Sequence, residues 1–67
     1  MTQAELKALT DNALKQAYSA QVMTLYSVLS SKLVTARGSE ESLEATRQFQ
    51  RGLELAKATY MAATKAL

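Results

Sequence analysis

The chain has 67 residues, with 8 Lys and Arg against 6 Asp and Glu, and it contains no His, Cys, Pro or Trp. Without His and Cys, the common zinc sites, disulfides and Cys or His nucleophiles are excluded; we expect no enzyme, no catalytic residue, no metal and no cofactor. The net charge of +2 is too weak to require a nucleic acid partner. So short a chain buries only about 60% of its unfolded surface, and a protein partner is the expected remedy.

Helix formers dominate the apolar residues, because 12 Ala and 10 Leu stand against only 3 Val and no Ile. No apolar run reaches the ~20 residues that cross a bilayer, and the N-terminus lacks the pattern of a secretory signal. We therefore expect an all-α, cytoplasmic protein with no membrane span.

The first predicted helix covers about residues 3–36. Thr2 and Glu5 have the spacing of a capping box, which indicates a helix start. An apolar stripe then recurs at steps of three and four, as a helix that buries one face requires. Its members are Leu14, Tyr18, Val22, Leu25, Leu29, Leu33 and Ala36.

The sequence contains one predicted helix break, at residues 37–39. Gly38 is the expected left-handed residue that ends a helix, and Arg37 places a cation at that helix's C-terminus. Ser39 is the expected N-cap of the second helix, predicted over about residues 40–66. Its first turns carry acidic residues that favour the helix dipole over metal or acid–base chemistry: Glu40, Glu41 and Glu44.

The second helix has a matching stripe, which comes into register with the first if the chain reverses near Gly38. Facing residue numbers then add to 78, as in Tyr18 with Tyr60 and Leu25 with Leu53. The sequence therefore predicts an antiparallel two-helix hairpin, one domain over residues 1–67, that assembles into a helical bundle with itself or a partner. The predicted seam residues are Tyr18, Val22, Leu25, Leu29, Phe49, Leu53, Ala56 and Tyr60. Gly52 beside them either permits close packing or is merely tolerated.

Each helix carries more apolar residues than one seam uses. Large exposed apolar patches are typical of binding surfaces. The predicted partner-binding residues are Leu6, Leu9, Met23, Tyr26, Val34, Leu43, Leu55 and Ala62. In addition, the register leaves residues 1–10 beyond the end of the second helix, where they fray, fold back or pack on a partner.

The chain resembles the small helical-hairpin co-chaperones of type III secretion needle subunits. The residues that carry the resemblance are Met1-Thr2-Gln3, Ala36-Arg37-Gly38, Gln48-Phe49-Gln50-Arg51 and Leu53-Glu54. The resemblance implies a larger chaperone partner built of tetratricopeptide-like helices. The two chaperones together would hold the needle subunit monomeric in the bacterial cytosol, with the small member stabilising the larger.

Three functions are therefore open. The first is a protein-interaction module, a co-chaperone or adaptor that forms a homodimer or hetero-oligomer. The second is an RNA-binding hairpin dimer, with Lys32, Arg47, Arg51 and Lys57 as candidate contacts. The third is a sponge for cyclic nucleotide signals, because Gln50-Arg51-Gly52-Leu53 resembles a segment of phage hairpin oligomers of that kind; Arg51 with Tyr18 or Tyr60 would then bind the ligand across subunits.

Overall fold

The computed structural model describes all 67 residues and contains two α-helices and no strand. Helix α1 spans Gln3–Thr35 and helix α2 spans Ser39–Lys65. The helices pack antiparallel, because contacts further toward the start of α1 lie further toward the end of α2. Lys32 contacts Gln48, Leu25 contacts Gly52, and Tyr18 contacts Tyr60. The predicted all-α hairpin is confirmed. Neither helix has a stretch of the length and hydropathy that a membrane span requires.

Helix α1 begins at the predicted capping box. The Glu5 backbone N–H donates to Thr2 Oγ1 at 3.1 Å, and the Thr2 backbone N–H donates to Glu5 Oε1 at 3.4 Å. Two backbone donors that the helix itself cannot satisfy are thereby paired.

Replacing Thr2 with Ala is expected to loosen only the first turns of α1. The lost cap costs about 1 kcal/mol of local helix stability, but residues 1–10 are exposed and make no seam. Amide hydrogen exchange of residues 3–8 should therefore quicken while the global unfolding midpoint stays unchanged. Thr10→Ala is the control, because it removes a hydroxyl bond to the Leu6 carbonyl without touching the cap. An equal fall in the global midpoint for Thr2→Ala would contradict the prediction.

The turn between the helices differs from the prediction at two residues. Gly38 has φ 179° and ψ 178°, which is extended rather than left-handed backbone. Gly38 is also the N-cap residue of α2, and Ser39 makes no side-chain cap. Both predictions were wrong because the chain leaves α1 through extended backbone at Ala36. The carboxylate of Glu41 then closes the turn by accepting the Arg37 N–H at 2.9 Å.

The seam buries very little. Only Ala45 and Ala56 are buried, at 4% and 0% exposure, and the large seam side chains are half-buried. The stripe residue Leu33 is exposed, because it follows Leu29 by four residues and is turned about 40° further from α2. A hairpin therefore forms one line of contact and encloses no core.

The shape reflects this thin seam. The radius of gyration is 16.1 Å, against about 11 Å for a compact chain of this length. The chain exposes 5418 Å², whereas a compact monomer of 7.3 kDa would expose about 4,200 Å². The isolated hairpin thus carries on the order of 1,200 Å² of surplus surface.

Gly52 is a point of close approach. A Cβ atom on Gly52 would lie 2.5 Å from Leu25 Cδ2 and 3.2 Å from Leu25 Cδ1. Of the two interpretations left open by the sequence, close packing is the one that the structure shows. The absence of a side chain at Gly52 lets the Leu25 methyl groups rest on the backbone of α2.

Replacing Gly52 with Ala should change the free energy of unfolding by less than about 1 kcal/mol, because two effects oppose. Ala gains about 1 kcal/mol of helix propensity, while Leu25 must rotate away from the new methyl group. In a Leu25→Ala background the obstacle is gone, and Gly52→Ala should then stabilise by about 1 kcal/mol. Urea unfolding of the four proteins of this double-mutant cycle measures the coupling. Equal effects of Gly52→Ala in both backgrounds would show that the contact is unimportant.

Candidate functional site

The surface of α1 is unusual because a long part of it carries no charge. Between Lys15 and Lys32 there is no charged residue, so residues 16–31 are neutral around the whole circumference. One side of this segment packs on α2, and the remaining sides face solvent. The outward face of α2 is instead charged, with Glu40, Arg47, Arg51, Glu54 and Lys65 all exposed.

A second repeat with steps of three and four runs along the outward side of α1, opposite the seam. We call it the outer stripe, and it consists of Leu6, Leu9, Ala13, Gln16, Ala20, Met23, Ser27, Ser30 and Val34. All nine residues are exposed and none is charged. Alternating steps of three and four place side chains along one line of a helix, which is the geometry of a coiled-coil contact.

The larger members of the outer stripe are strongly exposed. Leu9 is 54% exposed, Met23 66% and Val34 82%. Between them lie small or polar side chains that leave the helix backbone accessible. This side of α1 is therefore an exposed, uncharged surface from Leu6 to Val34.

All eight predicted partner-binding residues are exposed, but they do not form one surface. Leu6, Leu9, Met23 and Val34 belong to the outer stripe. Tyr26 lies beside it, since it follows Met23 by three residues where the repeat requires four. Leu43 and Leu55 are twelve residues apart on α2 and therefore about 120° apart around the helix. Ala62 is likewise on α2, away from the stripe.

All eight predicted seam residues are buried or half-buried and lie between the helices. At the open end of the hairpin, the rings of Tyr18 and Tyr60 have centroids 5.4 Å apart and planes tilted by 50°. This contact falls at the position that the predicted register requires.

Five residues of the outer stripe were missed by the sequence reasoning: Ala13, Gln16, Ala20, Ser27 and Ser30. Their side chains are small or polar, so a search for apolar residues passes over them. The signal that could have found them is the absence of charge at nine successive positions of one repeat.

The first ten residues continue α1 beyond the end of α2. They are helical from Gln3 onward, all are exposed, and they do not fold back on the chain. Because each helical residue rises 1.5 Å, the overhang projects about 15 Å past α2. It extends the outer stripe with Leu6 and Leu9 into a region that no other of the 67 residues covers.

A shallow cleft of about 370 Å³ opens on one side of the hairpin near its open end. It is lined by Lys15, Tyr18, Lys57, Tyr60 and Met61, and no acidic residue lines it. Neither lysine forms an ion pair. The cleft thus combines two ammonium groups with two aromatic rings.

The other charged residues are distributed differently from the predicted RNA-binding set. Lys32 donates to the Gln48 side chain, and Arg47 lies 3.9 Å from Glu44 in an exposed ion pair. Arg51 borders the same side of α2 as Arg47 and does not line the tyrosine cleft. Lys32 and Lys57 line separate grooves. These cations therefore do not form one continuous basic face.

The fold and surface together define an antiparallel helical hairpin with a neutral outward helix face. No protein-family model, curated protein or solved structure matches the chain.

Proposed function

We propose that this protein is a protein-interaction module, an adaptor or co-chaperone whose outer stripe is covered by a helix of a partner. The observation that carries the proposal is the nine-residue repeat of exposed, uncharged side chains along α1. A helix normally places charged residues on its solvent face. A solvent face without charge along one coiled-coil line favours a helical occupant.

The free energy of burying apolar side chains and the exposed area of the hairpin support the same proposal. Burying one large apolar side chain stabilises a complex by about 1.5–3 kcal/mol, and the outer stripe holds Leu6, Leu9, Met23 and Val34. The surplus surface of about 1,200 Å² per chain exceeds the about 800 Å² that each partner contributes to a standard interface. Burial of these four side chains is the main contribution that the outer stripe offers to a complex.

The finer proposal is a co-chaperone of the kind that serves type III secretion needle subunits. Its support is the all-α hairpin together with the resemblance at Ala36-Arg37-Gly38 and at residues 48–54. Tetratricopeptide-like repeats offer grooves between helices, and α1 with its projecting N-terminal overhang suits such a groove. The hairpin would then stabilise the larger chaperone in the bacterial cytosol.

The test is co-expression with the products of adjacent genes, followed by affinity purification of the hairpin. Wild type is expected to retain one helical partner at fixed stoichiometry, and Met23→Glu to lose it. Ala58→Glu is the matched control, since it adds the same charge to an exposed position on α2. A complex that survives Met23→Glu and is lost with Ala58→Glu would place the contact on α2 and contradict the proposal.

A second candidate function rests on the cleft of Lys15, Tyr18, Lys57, Tyr60 and Met61. Ammonium groups bind phosphates and tyrosine rings stack on nucleobases. This combination favours the sponge for cyclic nucleotide signals, with Lys15 and Lys57 in the role that the sequence assigned to Arg51.

Calorimetric titration with a panel of cyclic dinucleotides tests this second candidate. Binding is expected to weaken at least about tenfold in Lys57→Glu, since a cation that faces phosphate becomes an anion. Lys65→Glu, in the last turn of α2, is the control and should bind normally. No heat from any member of the panel, or equal losses in both variants, would remove the candidate.

A further inference from the structure

We infer that the occupant of the outer stripe is a second copy of this chain, with the two α1 helices packed antiparallel about a two-fold axis near residues 21 and 22. The inference rests on the proposed function and names the partner. Residue numbers of facing stripe residues in the two copies add to 43. Three features of the stripe support this arrangement: its match to itself, its end charges and its length.

The outer stripe is complementary to the outer stripe of a second copy that runs in the opposite direction. In an antiparallel pair the two positions of the repeat alternate across the contact, so Leu9 faces Val34 of the second copy. At the centre, Ala20 faces Met23 of the second copy, a small side chain against a large one. Between these layers Gln16 faces Ser27 of the second copy, and their polar groups can bond to each other. Two-fold symmetry makes each of these contacts twice.

Charge favours the antiparallel direction. The outer stripe is neutral, and the charges nearest its two ends are Glu5 and Lys7 at one end and Lys32 and Arg37 at the other. The proposed register brings Glu5 close to Arg37 of the second copy at both ends of the contact. The Arg37 side chain has no ion-pair partner within its own chain. A parallel pair would instead bring the two Glu5 carboxylates together, and it would align the two helix dipoles unfavourably.

The contact is long enough to form a dimer. Residues 6–34 of α1 extend over about 42 Å, and the whole length is exposed in the isolated chain. In this register the eight stripe residues from Leu9 to Val34 pair within the two α1 helices, and Leu6 reaches Arg37 in the turn of the second copy.

The seam and the outer stripe lie on opposite sides of α1. In the dimer the four helices are therefore side by side, with the two α1 helices in the middle and the charged faces of α2 outside. The neutral segment of residues 16–31 is then covered on two opposite sides, and the exposed charges of α2 lie on the outer sides of the dimer.

Cysteine cross-linking tests both the contact and its direction, because the chain has no Cys of its own. In the proposed register Leu9→Cys faces Val34→Cys, whereas two copies of either variant have their thiols about 37 Å apart along the axis. A disulfide requires Cα atoms within about 7 Å. An equimolar mixture is expected to oxidise to the mixed disulfide, while each variant alone stays reduced. Equally rapid dimers of Val34→Cys alone would overturn the register in favour of a parallel pair.

Sedimentation equilibrium over a range of concentrations supplies the second measurement. Wild type and Ala58→Glu should be dimers, and Met23→Glu should dissociate with a Kd raised by more than about 100-fold, since both copies bury the new charge near the two-fold axis. A wild-type monomer at all concentrations would overturn the second copy as occupant. If that monomer still forms a complex with an adjacent gene product, and Met23→Glu abolishes it, the proposed function stands without the inference.

Discussion

Leu25→Asp is expected to abolish the folded hairpin. Leu25 lies in the middle of the seam, with its methyl groups against Gly52. The substitution removes a contact worth about 2–5 kcal/mol and places a carboxylate at the helix–helix contact, where desolvation adds to the loss. A domain of this length has a total stability of only about 3–10 kcal/mol. Far-UV circular dichroism should therefore show loss of most of the helical signal, and Leu53→Asp should behave alike.

The matched controls are Tyr26→Asp and Leu55→Asp. Tyr26 is the next residue to Leu25 and is 66% exposed, and Leu55 is similarly exposed. The same charge at these positions costs little within one chain, so helicity should be retained in both. Association with a partner should weaken in Tyr26→Asp, which lies beside the outer stripe, and persist in Leu55→Asp, which lies on α2. An equal loss of helical signal in all four variants would show that seam and outer surface are not energetically distinct.

The alignment of the two helices was predictable because it depends only on the position of the turn and on the helical period. Once a single turn is assumed, the steps of three and four leave only one alignment in which Tyr18 meets Tyr60 and Leu25 meets Leu53. Side chains on a helix face recur with the helical period whatever lies around them. The fold class and the helix bounds follow from that period and from the capping box. Three of the four predicted helix ends differ from those of the structure by one residue, and the fourth is identical.

The turn was less predictable because its geometry depends on contacts that sequence spacing does not reveal. Gly38 has the residue type for a left-handed cap, yet the backbone had already left the helix at Ala36. The Glu41 carboxylate, expected only to favour the dipole, also accepts the Arg37 N–H. Several turn conformations of similar free energy can connect two helices, and a hydrogen bond from a side chain selects among them.

The outer stripe was only partly predictable, for a different reason. Its apolar members Leu6, Leu9, Met23 and Val34 were found, but they were grouped with Leu43 and Leu55 on α2. A search for surplus apolar residues ignores direction around the helix. The outer stripe is recognised by the absence of charged side chains. Ala20 and Ser27 belong to it because they are uncharged. Helix direction and charge must be considered together to separate one contact line from scattered exposed residues.

Ala56→Leu is expected to force the two helices apart and to destabilise the hairpin by about 2–3 kcal/mol, at the upper range for overpacking. Ala56 has no exposed surface, and it lies beside Tyr18, Tyr60 and Ala63 where the helix axes approach closely. The space beside Ala56 is a small cleft of about 70 Å³, so three added carbon atoms press on the neighbouring side chains. The seam has only one line of contact in which to rearrange. Separation of the axes should also break the contact between the two tyrosine rings.

The measurement is urea unfolding followed by circular dichroism, together with nuclear Overhauser effects between the rings of Tyr18 and Tyr60. Ala58→Leu is the control, because Ala58 is exposed on the outward face of α2 and the same side chain there meets only solvent. The unfolding midpoint of Ala58→Leu should stay near that of wild type. Ala56→Leu could also prove as stable as wild type with the ring contact intact. The spacing of the helices would then not be set by the small residues Ala45 and Ala56, but by the larger side chains of the seam.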